Sequence, residues 1–164
     1  MAAKPEYRLQ TLLELRERKK DEAEQALGQA LAAHKREVDK QKEMQVELER
    51  MVARREQRKR DYAEKAMRGE MSAQDVVGAN TFIERLKEQE DAQKGAIEAQ
   101  QAVVAQKLQE VDAARASLLK ATQEQKALDK HKEKFVDEWK KEQAAKEEEV
   151  MDELAQQIFL RNER

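Results

Sequence analysis

"RGEMSAQDVVGANTF", residues 68 to 82, holds two of the four glycines of the chain, Gly69 and Gly78, in a sequence otherwise crowded with Lys, Glu, Gln, Ala and Arg. Gly69 can take a positive φ and so end a helix, because it has no Cβ to clash in the left-handed region. Ser72 followed by Asp75 has the spacing of an N-terminal cap: the Ser oxygen accepts the N–H of the third helical residue, and the Asp carboxylate sits at the positive helix end. "RGEMS" therefore reads as helix stop, short turn, helix start. A connection this short forces two helices to lie antiparallel and side by side. Gly78 is not needed for the turn, and its small size suits a close approach or a locally soft helix beside Phe82.

The flanking sequence supplies the helices. A first helix is expected over residues 5–68, with Pro5 in the first turn, where its missing N–H has no intrahelical partner. Its apolar stripe includes Leu9, Leu13, Ala23, Leu27, Leu31, Val38, Leu48, Val52, Tyr62 and Ala66. Polar His34, Gln41, Gln45, Arg55 and Lys59 dilute it. The turn is expected at 69–72 and a second helix over 73–160. That helix carries a cleaner 3.5-residue stripe: Ile83, Leu86, Ile97, Val104, Val111, Ala114, Leu118, Ala121, Leu128, Phe135 and Trp139, with one shift near Leu108. Folding the chain about the turn pairs positions whose numbers sum to about 145, so Arg55 should face Glu90. The fold class is thus all-α, an antiparallel two-helix coiled-coil hairpin with a longer second helix, forming a single unit. About 24 residues of the second helix should project past the first, roughly 36 Å of helix at 1.5 Å per residue. They end in an apolar patch at Leu154, Ile158, Phe159 and Leu160.

Composition narrows the function classes. Of 164 residues, 41% are charged and 4% aromatic, too little bulky apolar material for an enzyme-like core. The 33 basic and 35 acidic residues nearly cancel, which argues against a nucleic-acid binder. No apolar run has the length of a membrane span, "MAAKPEYRLQ" has no signal-peptide h-region, and the protein is expected in the cytoplasm without direct membrane insertion. The absence of Cys excludes thiolate catalysis and Cys-based zinc sites. His34 and His131 fall far apart on the expected hairpin and are read as partly exposed helix residues, so no metal or cofactor is expected. Phosphate loops, nucleophile elbows and calcium loops are missing, and neither a catalytic residue nor an enzyme is expected. The basic run "ARREQRKRD", residues 53–61, complements the C-terminal end of the helix dipole or meets an acidic partner. "RERKK", residues 16–20, lacks the dipole explanation and points more toward a partner surface.

Three stretches together resemble the FliJ/YscO (SctO) family of flagellar and virulence type III secretion systems: "YRLQTLLELRERKKDEAEQAL" at the start, "GEMSAQDVVGANTFIERL" at the hairpin and "KEEEVMDELAQQIFLRN" at the end. The resemblance implies a central stalk similar to the rotary-ATPase γ coiled coil. Such a stalk has its terminal end in the pore of the hexameric secretion ATPase, promotes ATPase assembly and activity, links the ATPase to the cytoplasmic domain of the export gate protein, and interacts with export chaperones. It implies gate-binding candidates Phe82, Leu86, Gln89 and Gln93, with Tyr62 as a neighbour; Tyr62 and Leu86 serve equally well as seam fillers. ATPase-binding candidates, by location, are Leu9, Leu13, Arg16, Arg18, Leu154 and Ile158. The competing reading is a generic coiled-coil scaffold or a peripheral-stalk subunit without ATPase regulation.

Overall fold

The structure, a computed structural model, describes residues 4–164, which form an all-α two-helix hairpin. Helix α1 spans Gln10–Met67 and helix α2 spans Ala73–Asn162, 58 and 90 residues long. By its contacts the chain divides into two units: Ala26–Arg115, which holds the connection between the helices, and Met1–Gln25 with Ala116–Arg164.

In the first of these units the connection is closed by two reciprocal caps. Gly69 has φ +73°, its N–H donates to the Ala66 carbonyl (3.1 Å), and the Glu70 N–H donates to the Lys65 carbonyl (3.0 Å). This is a Schellman ending, which satisfies the last carbonyls of α1. At the start of α2 the Asp75 N–H donates to Ser72 Oγ (3.2 Å) while the Ser72 N–H donates to Asp75 Oδ2 (2.9 Å). The backbone N–H of Ser72, and secondarily its side chain, holds the Asp75 carboxyl below its ordinary range. At Gly78 no described residue beyond its own turn of helix comes within 4 Å of the position a Cβ would take, so of the two roles its small size suits, close approach is not the one found. The helix face at Gly78 simply opens to solvent.

The seam of Ala26–Arg115 buries Leu48, Ala79, Leu86, Ile97 and Val111, the last only 1% exposed. Polar residues occupy the same stripe. Glu90 is 4% exposed and accepts hydrogen bonds at both carboxylate oxygens from Arg55 Nε (2.8 and 2.9 Å), the cross-helix pair the fold-back requires. That hydrogen bond raises the Arg55 pKa above its ordinary value, against the opposing pull of desolvation. Gln93 Nε2 donates to the Met44 carbonyl (3.0 Å), and buried Gln100 donates to the Glu37 carbonyl (2.9 Å) and carboxylate (2.6 Å). These two contacts join residues several positions short of the fold-back sum. Side chains lean toward the N-terminus of their own helix, so long pairs such as Arg55 and Glu90 bridge offset levels of two antiparallel helices.

In the unit formed by the two ends, Leu13 and Ala121 are buried and Arg16 pairs with Glu124. Helix α1 starts at Gln10 rather than at Pro5, the expected boundary. The reason lies in Tyr7, which is 8% exposed and packs its ring 5.3 Å from Phe135 and 5.7 Å from His131. At about 100° per residue, a helix continued back from Leu13 would carry Tyr7 well off the seam. Leaving the helical path before Gln10 lets its ring return to α2. Beyond Trp139 every residue of α2 is exposed except the half-buried Gln143, and Phe135 and Trp139 mark the end of the paired stretch.

Candidate functional site

Two surfaces of the hairpin can serve partners, one in each unit. Their character follows from which helix face the seam leaves uncovered.

The first lies beside the connection. Phe82 is 37% exposed with the Arg58 guanidinium 5.9 Å from its ring centroid, a cation–π arrangement on the outer face. Gln89 is exposed on the same side. The other residues carried over by resemblance have structural tasks. Leu86 is buried in the seam, Gln93 is tied to the Met44 carbonyl, and Tyr62 is half-buried. Of the five, Phe82 and Gln89 are exposed on this face. On the other flank of the seam, Tyr62, Ala63, Ala66, Val76, Ala79 and Ile83 line a groove of about 230 Å³, with Lys59 and Asn80 at its rim. Small residues facing one another close to the turn leave this space unfilled.

The second surface is the last stretch of α2. From residue 144 to residue 164 every side chain is exposed. Val150, Met151, Leu154 and Ile158 recur at helical spacing, joined by Phe159 and Leu160, and Ile158 is 59% exposed. An unpartnered apolar stripe of this kind is characteristic of an interaction surface. Among the other candidates at this end, Leu9 and Arg18 are exposed, whereas Leu13 is buried against α2 and Arg16 is held by Glu124.

Tyr7 lies outside the helical stripe and so carries no signal in the sequence, and His131 reads there as a partly exposed helix residue. Tyr7 Oη lies 2.6 Å from His131 Nδ1, in hydrogen-bond contact. Beyond Glu90, expected opposite Arg55, the polar seam members Gln93 and Gln100 carry no such expectation in the sequence. Their signal is present as the gaps between Leu86, Ile97 and Val104 in the 3.5-residue repeat. Among the described residues no cluster of three or more His, Asp or Glu is placed to hold a metal ion, and no helix is long and apolar enough to cross a membrane.

The family model described as "YscO-like protein" matches residues 4–164. A solved structure of CT670 from Chlamydia trachomatis, described as a candidate YscO homolog, superposes with a TM-score of 0.78 at 23% identity, covering 94% of each chain. That likeness concerns the fold. No curated protein matches the chain.

Proposed function

Because the chain belongs to the YscO-like family, we propose that it is the central stalk of a type III secretion export apparatus. The exposed end of α2 enters the hexameric secretion ATPase and promotes its activity. The surface beside the helix connection, centred on Phe82, engages the cytoplasmic domain of the export gate protein, and export chaperones are further clients. The protein works at the cytoplasmic face of the apparatus and performs no chemistry itself.

The observation that carries this reading is the uncovered apolar stripe at the end of α2, with Leu154, Ile158, Phe159 and Leu160 all exposed. Apolar side chains lose water-exposed area when they dock, at about 25 cal/mol per Å², and none of the described residues covers these. The charged residues interleaved with them suit a wet, adjustable contact with a surrounding ring.

The test is stimulation of the cognate ATPase by a chain carrying Ile158→Asp and Phe159→Asp. Both side chains are exposed, so helicity should be unchanged while stimulation is lost. Full stimulation by the folded variant would refute insertion by this end.

A further inference from the structure

The groove on the flank of the seam away from Phe82 is not used by the reading above. Its floor is apolar: Tyr62, Ala66, Val76, Ala79 and Ile83. Ile83 and Phe82 are consecutive, about 100° apart around α2, so the groove and the Arg58–Phe82 face look in different directions. One end of the groove is cationic. Lys59 stands at its rim, and Lys87 lies one turn beyond Ile83 on the same face of α2.

Most of the carboxylates near these lysines are engaged elsewhere. Glu90 and Glu56 both hold Arg55, Asp61 accepts from Gln57, Glu70 pairs with Arg68, and Asp75 is bound in the α2 cap. Glu84, one turn before Lys87 and about 60° from it around α2, is exposed on the side away from the groove floor, and it makes no ion pair among the described residues. Lys59 and Lys87 are likewise without an ion-pair partner among the described residues. An apolar trough lined by Lys59, with Lys87 one turn beyond it on α2 and neither lysine in an ion pair among the described residues, is complementary to an apolar side chain followed by carboxylates.

We propose that this groove is a second docking site at the connection end of the hairpin, and that its occupant is an acidic peptide segment of a partner protein that seats one bulky apolar side chain between Tyr62, Ala66 and Ile83. The carboxylates of that segment meet Lys59 and Lys87. The groove and the Phe82 face are separate, so one hairpin can hold two partners at this end at once. The flanking charges favour association and fix the direction of the bound segment, and the buried side chain supplies most of the hold.

The probes are three fluorescein-labelled 12-residue peptides titrated onto the full chain by fluorescence anisotropy: one of Glu and Ala with a central Leu-Phe pair, the same with both replaced by Ala, and the first with every Glu replaced by Lys. The first should bind, and each of the others at least tenfold more weakly. Ala66→Trp fills the trough from an exposed position, and it should weaken the first peptide at least tenfold with circular dichroism unchanged. Lys59→Glu with Lys87→Glu should do the same and should lower the salt dependence. Phe82→Ala should leave peptide binding unchanged while it weakens gate binding, so a failure of the gate assignment and a failure of this groove are distinguishable. No binding of the acidic peptide, equal binding of the Lys peptide, or undiminished binding to Ala66→Trp would overturn the proposal. So would concentration-dependent dimers in light scattering that Ala66→Trp abolishes, since the groove would then belong to a second copy of the chain.

Discussion

Tyr7 offers the sharpest mechanical test of how the ends of the chain are held. Its ring is 8% exposed, touches Phe135 and His131, and its hydroxyl lies 2.6 Å from His131 Nδ1. Truncating a buried aromatic to Ala costs about 3–5 kcal/mol in a deep core. Here only one helix face backs the ring and the gap can collapse, so the low end, about 3 kcal/mol, applies. Tyr7→Phe removes one hydrogen bond; because His131 is exposed, water replaces the lost partner, and the cost is about 0.5–1 kcal/mol. The two variants thus separate packing from hydrogen bonding by a factor of three or more in free energy. The assay is native-state amide exchange of the full chain, which reads local opening rather than global unfolding. Tyr7→Ala should speed exchange of the first turns of α1, from Leu13 onward, by about a hundredfold, since each 1.4 kcal/mol is tenfold. Tyr7→Phe should speed it only a few-fold, and amides around Ile97 and Val111 should be unaffected by either. Unchanged exchange after Tyr7→Ala would refute the claim that this residue anchors the start of α1. Equal effects of Ala and Phe would assign the anchoring to the hydrogen bond instead.

Three further outcomes are expected. Gly78→Ala should raise stability by about 0.5–1 kcal/mol, because the site is helical and open, whereas Gly69→Ala should lower it, because φ there is +73°; opposite shifts in the urea midpoint would show this. Asp75→Asn should flatten the acid limb of the stability curve. The folded-state pKa of Asp75 is depressed, so its contribution is present above the ordinary carboxylate range and is lost as pH falls through the lower folded value; the difference between wild type and variant should vanish in strong acid and appear near neutrality. Phe82→Ala should weaken pull-down of the gate's cytoplasmic domain with helicity retained, since Phe82 is partly exposed and outside the seam; normal binding would remove Phe82 from the gate surface.

The hairpin was legible because its signals are local. Gly69, Ser72 and Asp75 each dictate a backbone geometry on their own, and the stripe from Ile83 to Trp139 keeps a 3.5-residue period with one shift near Leu108. The start of α1 was not legible in the same way. Pro5 favours a helical first turn, but burial of the Tyr7 ring against Phe135 outweighs that local preference, and the two residues are more than a hundred positions apart in sequence. The candidate binding residues were legible only in part. Leu86 and Phe82 look alike as apolar residues near the turn, and only the helix face separates a seam filler from an accessible ring. Gln93 likewise reads as an exposed polar contact, whereas its amide is spent on the Met44 carbonyl of the opposite helix.

Site-specific photo-crosslinking reads the central claim most directly. A benzophenone side chain at position 159, on the uncovered stripe of α2, should crosslink to the secretion ATPase in the assembled apparatus, and one at Val77, exposed beside the helix connection, should not. Crosslinking to the ATPase from position 77 and none from position 159 would contradict the assignment of the α2 end as the ATPase-facing end of a central stalk.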